Sequence, residues 1–171
     1  MSAIEETSAA AVVGKDTGDG PQPSAGGSTQ ALAVFPHLAY GDAVHAELAG
    51  VGRCPDTLEA GLRTEKPGGR RELFLTLSWL PGHPGLDESL RPRGLALAWS
   101  HLIGWSARHG DDLVLLDVDE LAAPELLGDA ARHLVQHGPE RAWVPPFGAR
   151  WQDALELDIA LVHFDEGEAI R

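Results

Sequence analysis

The sharpest chemistry on offer is Asp117-Val118-Asp119-Glu120, directly after the apolar run Leu113-Val114-Leu115-Leu116. Side chains alternate along a strand, so a strand that ran on through this segment would carry Asp117 and Asp119 on one side. Their oxygens, with Glu120 beside them, could hold Mg²⁺ or Mn²⁺, which would serve as a Lewis acid in group transfer or hydrolysis. The plainer reading is a strand that leaves its sheet through a solvated acidic loop and caps the next helix. His133 and His137 pose a similar choice. One helical turn separates them, the spacing at which two imidazoles share a metal, and Asp129 lies a turn earlier. However, Leu134 stands where an H-E-x-x-H motif needs glutamate, and histidines near a helix C-terminus also suit the helix dipole.

A second constellation is basic and aromatic. Arg63, Lys66, Arg70, Arg71, Arg91 and Arg93 gather most of the positive charge, with Phe74 and Trp79 close by in sequence. Such a set could stack and neutralise single-stranded nucleic acid. Against that stand Glu65, Glu72, Asp87 and Glu88, and a formal net charge of −13 from 26 acids and 13 Lys and Arg. Seven acids and no Lys or Arg lie between Asp111 and Asp129. An excess of this size repels phosphate backbones and anionic membranes, so nucleic acid is disfavoured and a protein partner or self-association is expected. Trp79, Trp99 and Trp105 fall in strand-like runs, where aromatics usually fill the core or pair across strands. Exposed instead, and rimmed by Arg91 and Arg93, they would form a binding surface.

Nucleophilic catalysis has little support. Cys54 sits in the turn-like GRCPD, and none of Ser78, Ser89, Ser100 and Ser106 lies in a G-x-S-x-G elbow. No phosphate loop or other cofactor motif is present, so no cofactor is expected. A single cysteine rules out an intrachain disulfide and a cysteine-based zinc site, which fits a reducing cytoplasm. The N-terminal residues carry Glu5 and Glu6 where an export signal is basic, and no apolar run is long enough to span a membrane.

A chain of 171 residues with 43% hydrophobic content has room for one packed domain and a tail. Residues 1–32, rich in Ser, Ala, Gly and Pro, are expected to form a disordered leader. A core domain should occupy 33–140, and 141–171 a C-terminal extension open to either helix or strand. Within the core, 37–49 predicts an amphipathic helix stopped by Gly50 and Gly52. Thr57–Thr64 predicts an edge strand, followed by hairpin chemistry in KPGGRR. Glu72–Leu80 alternates, with Leu73, Leu75, Leu77 and Trp79 on one face. A Pro- and Gly-rich loop spans 81–94, and strands over 95–100, 104–109 and 113–118 complete a meander. Pro124 opens a helix running to about Gln136, with a stripe of Leu126, Leu127, Ala130, Ala131, Leu134 and Val135.

Two resemblances attach to these residues. An apolar strand ending in D-x-D resembles the metal-binding signature of nucleotide-sugar glycosyltransferases over about eight residues. That implies a metal at Asp117 and Asp119, although the nucleotide-binding half of such enzymes has no counterpart before the motif. Tyr40, Ala43, Val44 and Leu48, then Leu97, Trp99, Gly104 and Trp105, then Leu115 and Ala123-Pro124-Glu125, resemble a small actinobacterial domain family with a Trp-turn-Gly-Trp hairpin. The resemblance covers about residues 38–137; the family has no assigned activity, so it implies a fold and supplies no catalytic residues. The order of elements is also similar in shape to secretion chaperones. The fold expected is α+β: an antiparallel sheet of four or five strands with helices on one face. The function expected is a non-enzymatic, acidic, cytoplasmic interaction or regulatory module. The alternative is a divalent-metal-dependent transferase or hydrolase acting through the 117–120 loop.

Overall fold

A computed structural model describes residues 35–64 and 69–169; the expected leader and most of the first hairpin turn lie outside the described residues. In chain order the elements are helix α1 (Leu38–Gly50), strands β1 (Thr57–Thr64), β2 (Arg71–Trp79), β3 (Leu95–Ser100), β4 (Gly104–His109) and β5 (Asp112–Leu115), then helices α2 (Pro124–His137) and α3 (Ala154–Ala169). The strands form one antiparallel sheet in sequence order. This is the α+β architecture that the alternation of Leu73 to Trp79 and the stripe from Leu126 to Val135 predict.

One face of the sheet carries the core. Leu73, Leu75, Leu77 and Trp79 of β2, Leu95, Leu97 and Trp99 of β3, and Trp105 and Ala107 of β4 are buried there. They pack with Tyr40, Val44 and Leu48 of α1, with the stripe of α2, and with Ala154, Leu157 and Leu161 of α3. Within the ambiguous C-terminal segment 141–171, Ala154–Ala169 is therefore a helix, and part of the same core. The 81–94 loop is also anchored: Leu86 and Leu90 are buried, and the Asp87 N–H donates to the Val135 carbonyl of α2. It closes at Gly94, whose φ is +72° and where a Cβ would lie 2.5 Å from the Trp79 carbonyl oxygen. Only glycine suits that position.

At the centre of the core lies Tyr40. Its hydroxyl donates to the Ala122 carbonyl at 2.7 Å and accepts from the Trp105 indole N–H at 3.0 Å. The Trp99 indole N–H donates to the Glu120 carbonyl at 2.7 Å. Tyr40 also packs edge-on to Trp99 and Trp105 and tilts against Trp151, with ring centroids 5.0–6.0 Å apart. His37 stacks on Trp99 and donates from Nε2 to the Phe74 carbonyl at 3.1 Å. Burial pushes the His37 imidazole down to about 4, so it is neutral here. The same burial raises the Tyr40 phenol far above its usual range.

One expected strand is shorter than its apolar run. The 113–118 segment pairs only through Leu115, then turns: Leu116 N–H donates to Trp105, Val118 N–H to the Leu116 carbonyl, and Leu121 N–H to Asp119 Oδ1. The indole bond to Glu120 and the phenol bond to Ala122 draw this segment across the hairpin, away from the sheet direction.

Tyr40→Phe keeps the ring but removes both hydroxyl bonds, leaving the Trp105 N–H and the Ala122 carbonyl without that partner. The expected cost is about 1–3 kcal/mol, seen as a fall of several degrees in Tm by calorimetry. An unchanged Tm would show that the hydroxyl carries no load.

Candidate functional site

Among the described residues, the face of the sheet opposite the helices is open and has small side chains at its centre. The pairing register sets Thr76, Ala98, Ser106 and Leu115 in one cross-strand row, and Ser78, Ala96, Arg108 and Leu113 in the next. Because the central members are small, the rows form a trough of about 660 Å³. Arg63, Arg70 and Glu72 line one part of it, and Leu102, Ile103, Arg108 and Leu113 another. Ile103, Leu113 and Leu115 are 53%, 47% and 59% exposed. A solvated sheet face ordinarily carries polar side chains; this one ends in three large apolar ones.

The polar corner is tightly held. Glu72, almost fully buried, takes a two-pronged contact from Arg63, with Nε to Oε2 at 2.6 Å and Nη2 to Oε1 at 3.1 Å. The Arg63 guanidinium lies over the Phe74 ring, 5.0 Å from its centroid. The hydrogen bonds from Arg63, against the cost of burial, hold the Glu72 carboxyl below its usual range. Close by, His101 Nδ1 accepts the Leu73 N–H at 3.0 Å, which leaves Nε2 to donate to Asp165 at 3.3 Å. Arg70 pairs with the same carboxylate at 2.8 Å. These contacts tie α3 to the sheet.

The two edges of the sheet differ in kind. β1 carries Glu59 and Arg63, charges of the sort that discourage strand pairing. β5, with the sequence Asp-Leu-Val-Leu, is exposed at every position and carries one charge and no proline. The Leu116 N–H points inward to the Trp105 carbonyl, so by antiparallel alternation Val114 and Asp112 also face β4. The N–H and C=O groups of Leu113 and Leu115 therefore point away from the sheet, along the edge that borders the trough.

The residues singled out from sequence are dispersed. Trp79, Trp99 and Trp105 are each 1% exposed, which corrects the expectation of a tryptophan binding surface: their indoles lie on the helix side of the sheet. Arg91 donates to the Leu86 and Pro84 carbonyls and staples the 81–94 loop. Arg93 lies beside Gly110, at the β4–β5 turn. Asp117, Asp119 and Glu120 follow the end of β5 and share no strand face. Asp119 Oδ1 is engaged by the Leu121 N–H and by Arg150, which also pairs with Asp158. His133 Nε2 donates to the Arg141 carbonyl, and Arg141 donates to His137 Nδ1, so this pair fastens the turn after α2. Asp129 accepts from Arg132 and from the Trp143 indole. Among the described residues no three His, Cys, Asp or Glu side chains are grouped so as to share a metal ion. None of the described helices is long and apolar enough to cross a membrane.

Sequence reasoning missed the trough and the bare edge. The available signal was the uncharged run Leu113 to Leu116, read there as a strand of the meander leading to the acids and not as an edge. Comparison with known protein families, curated proteins and solved structures finds no match.

Mn²⁺ titrated to millimolar levels is expected to leave the Tm unchanged. A metal at 100 times its Kd would add about 2.7 kcal/mol of stability, so a rise of several degrees would restore the acidic loop as a metal site.

Proposed function

We propose that this chain is a non-enzymatic protein-interaction module that takes an extended segment of a partner protein as a sixth strand along β5. The observation that carries the reading is the contrast between edges: β1 is charged, whereas β5 presents Leu113 and Leu115 with outward backbone groups beside an apolar-ended trough. In strand addition the main-chain hydrogen bonds supply affinity, and alternate side chains of the incoming strand supply specificity. Side chains on the open side of that strand would reach over the trough floor and meet Ile103. Arg108, on the trough side of β4 and opposite Leu113, favours an acidic or polar residue on the incoming segment. A lone, exposed Cys54 and the acidic composition fit a cytoplasmic place of action.

Leu115→Pro tests the edge directly. It removes an outward N–H that bonds nothing within the sheet, and edge strands tolerate proline. With a photo-crosslinking side chain at position 103, the otherwise wild-type chain is expected to capture a discrete protein in its native host. Leu115→Pro should lose that adduct while melting within a few degrees of wild type. An adduct with a second copy would identify self-association as the pairing. Crosslinks indifferent to Leu115→Pro, or none at all, would refute strand addition.

A further inference from the structure

Helix α3 is apolar on two opposite sides. Ala154, Leu157 and Leu161 face the core, and Phe164 packs against it. Leu155, Ile159 and Val162 lie on the other side of the helix at 70%, 51% and 55% exposure. A helix that is apolar all round is normally buried all round. The spacing of the outer set, four residues then three, is that of a heptad seam, whose natural occupant is another helix. A scatter of exposed leucines would need no explanation, but a seam in register does.

The charges beside the seam say which helix. Residues 154–169 contain five acids and no Lys or Arg. Asp158 and Asp165 flank one side and are already paired with Arg150 and Arg70. Glu156 flanks the other side, and Glu166 continues the seam; neither has an ion pair among the described residues. A second copy of α3 would set acid against acid in either orientation. We propose that the outer face of α3 docks an amphipathic helix of a partner protein whose apolar seam is flanked by Lys or Arg. This site lies on the helix side of the molecule and stands or falls independently of strand addition at β5. The seam from Leu155 to Glu166 spans about 16 Å at 1.5 Å per residue. It is therefore short for a stable complex, which buries about 800 Å² per partner. The contact should be micromolar and weakened by salt.

The test uses the full chain and three labelled synthetic helices, followed by fluorescence anisotropy. The first has leucine and isoleucine at the seam with flanking lysines, the second has flanking glutamates, and the third scrambles the first at the same charge. The lysine-flanked helix is expected to bind at least about tenfold more tightly than either control, the scale of one central contact. The neutral substitution Ile159→Gln, at an exposed position, should erase that advantage without lowering Tm. Equal binding of the ordered and scrambled lysine peptides would reduce the effect to bulk charge and overturn the proposal. So would binding unaffected by Ile159→Gln, or a dimer by sedimentation that Ile159→Gln dissociates, since the seam would then serve a second copy.

Discussion

The hydroxyl of Tyr40 is the point on which the two halves of the molecule meet. It joins α1 to the β3–β4 hairpin through Trp105 and to the segment after β5 through the Ala122 carbonyl. Both bonds are made inside the core, where an unmet polar group is costly. Loss of the hydroxyl would leave both the Trp105 N–H and the Ala122 carbonyl exposed to that cost. The parallel bond from Trp99 to Glu120 fixes the same segment a few residues earlier. Together they turn the chain out of the sheet after Leu115, so β5 stays short, and among the described residues no strand pairs with its outer edge.

A one-sided architecture follows. With α1, α2 and α3 gathered on the face that holds the indoles, no helix among the described residues covers the opposite face. Small residues along the central strands keep that face hollow, and the chain places large apolar side chains at the end nearest β5. The surface available for function is thus set by where the tryptophans are not. The acidic loop is tied into the same frame: Asp119 accepts from the Leu121 N–H and from Arg150.

Much of the architecture was legible because it is periodic. The alternation in β2, the stripe of α2 and the proline that opens it state their elements without reference to the rest of the chain. What was not legible depends on contacts distant in sequence. The end of β5 is decided by indole and phenol bonds spanning 21 and 82 residues, so the run through Val118 read as continuous strand. The C-terminal segment was ambiguous because α3 is apolar on both sides, which hides the helical period. The tryptophans raised a question of side that sequence leaves open, since a strand shows which residues share a face but not which face is covered. The trough was invisible for the same reason: Thr76, Ala98 and Ser106 become neighbours only through register.

A partner strand along β5 would cover Leu113, Leu115 and the neighbouring end of the trough in the cell. Carbene footprinting of Ile103, Leu113 and Leu115 reads this directly, by comparing the purified chain with the chain in fresh extract of its native host. All three are expected to label heavily in the purified protein and to be protected several-fold in the extract, with Leu80, an exposed leucine outside the trough, labelled equally in both. Equal labelling of Leu113 and Leu115 under the two conditions would contradict it.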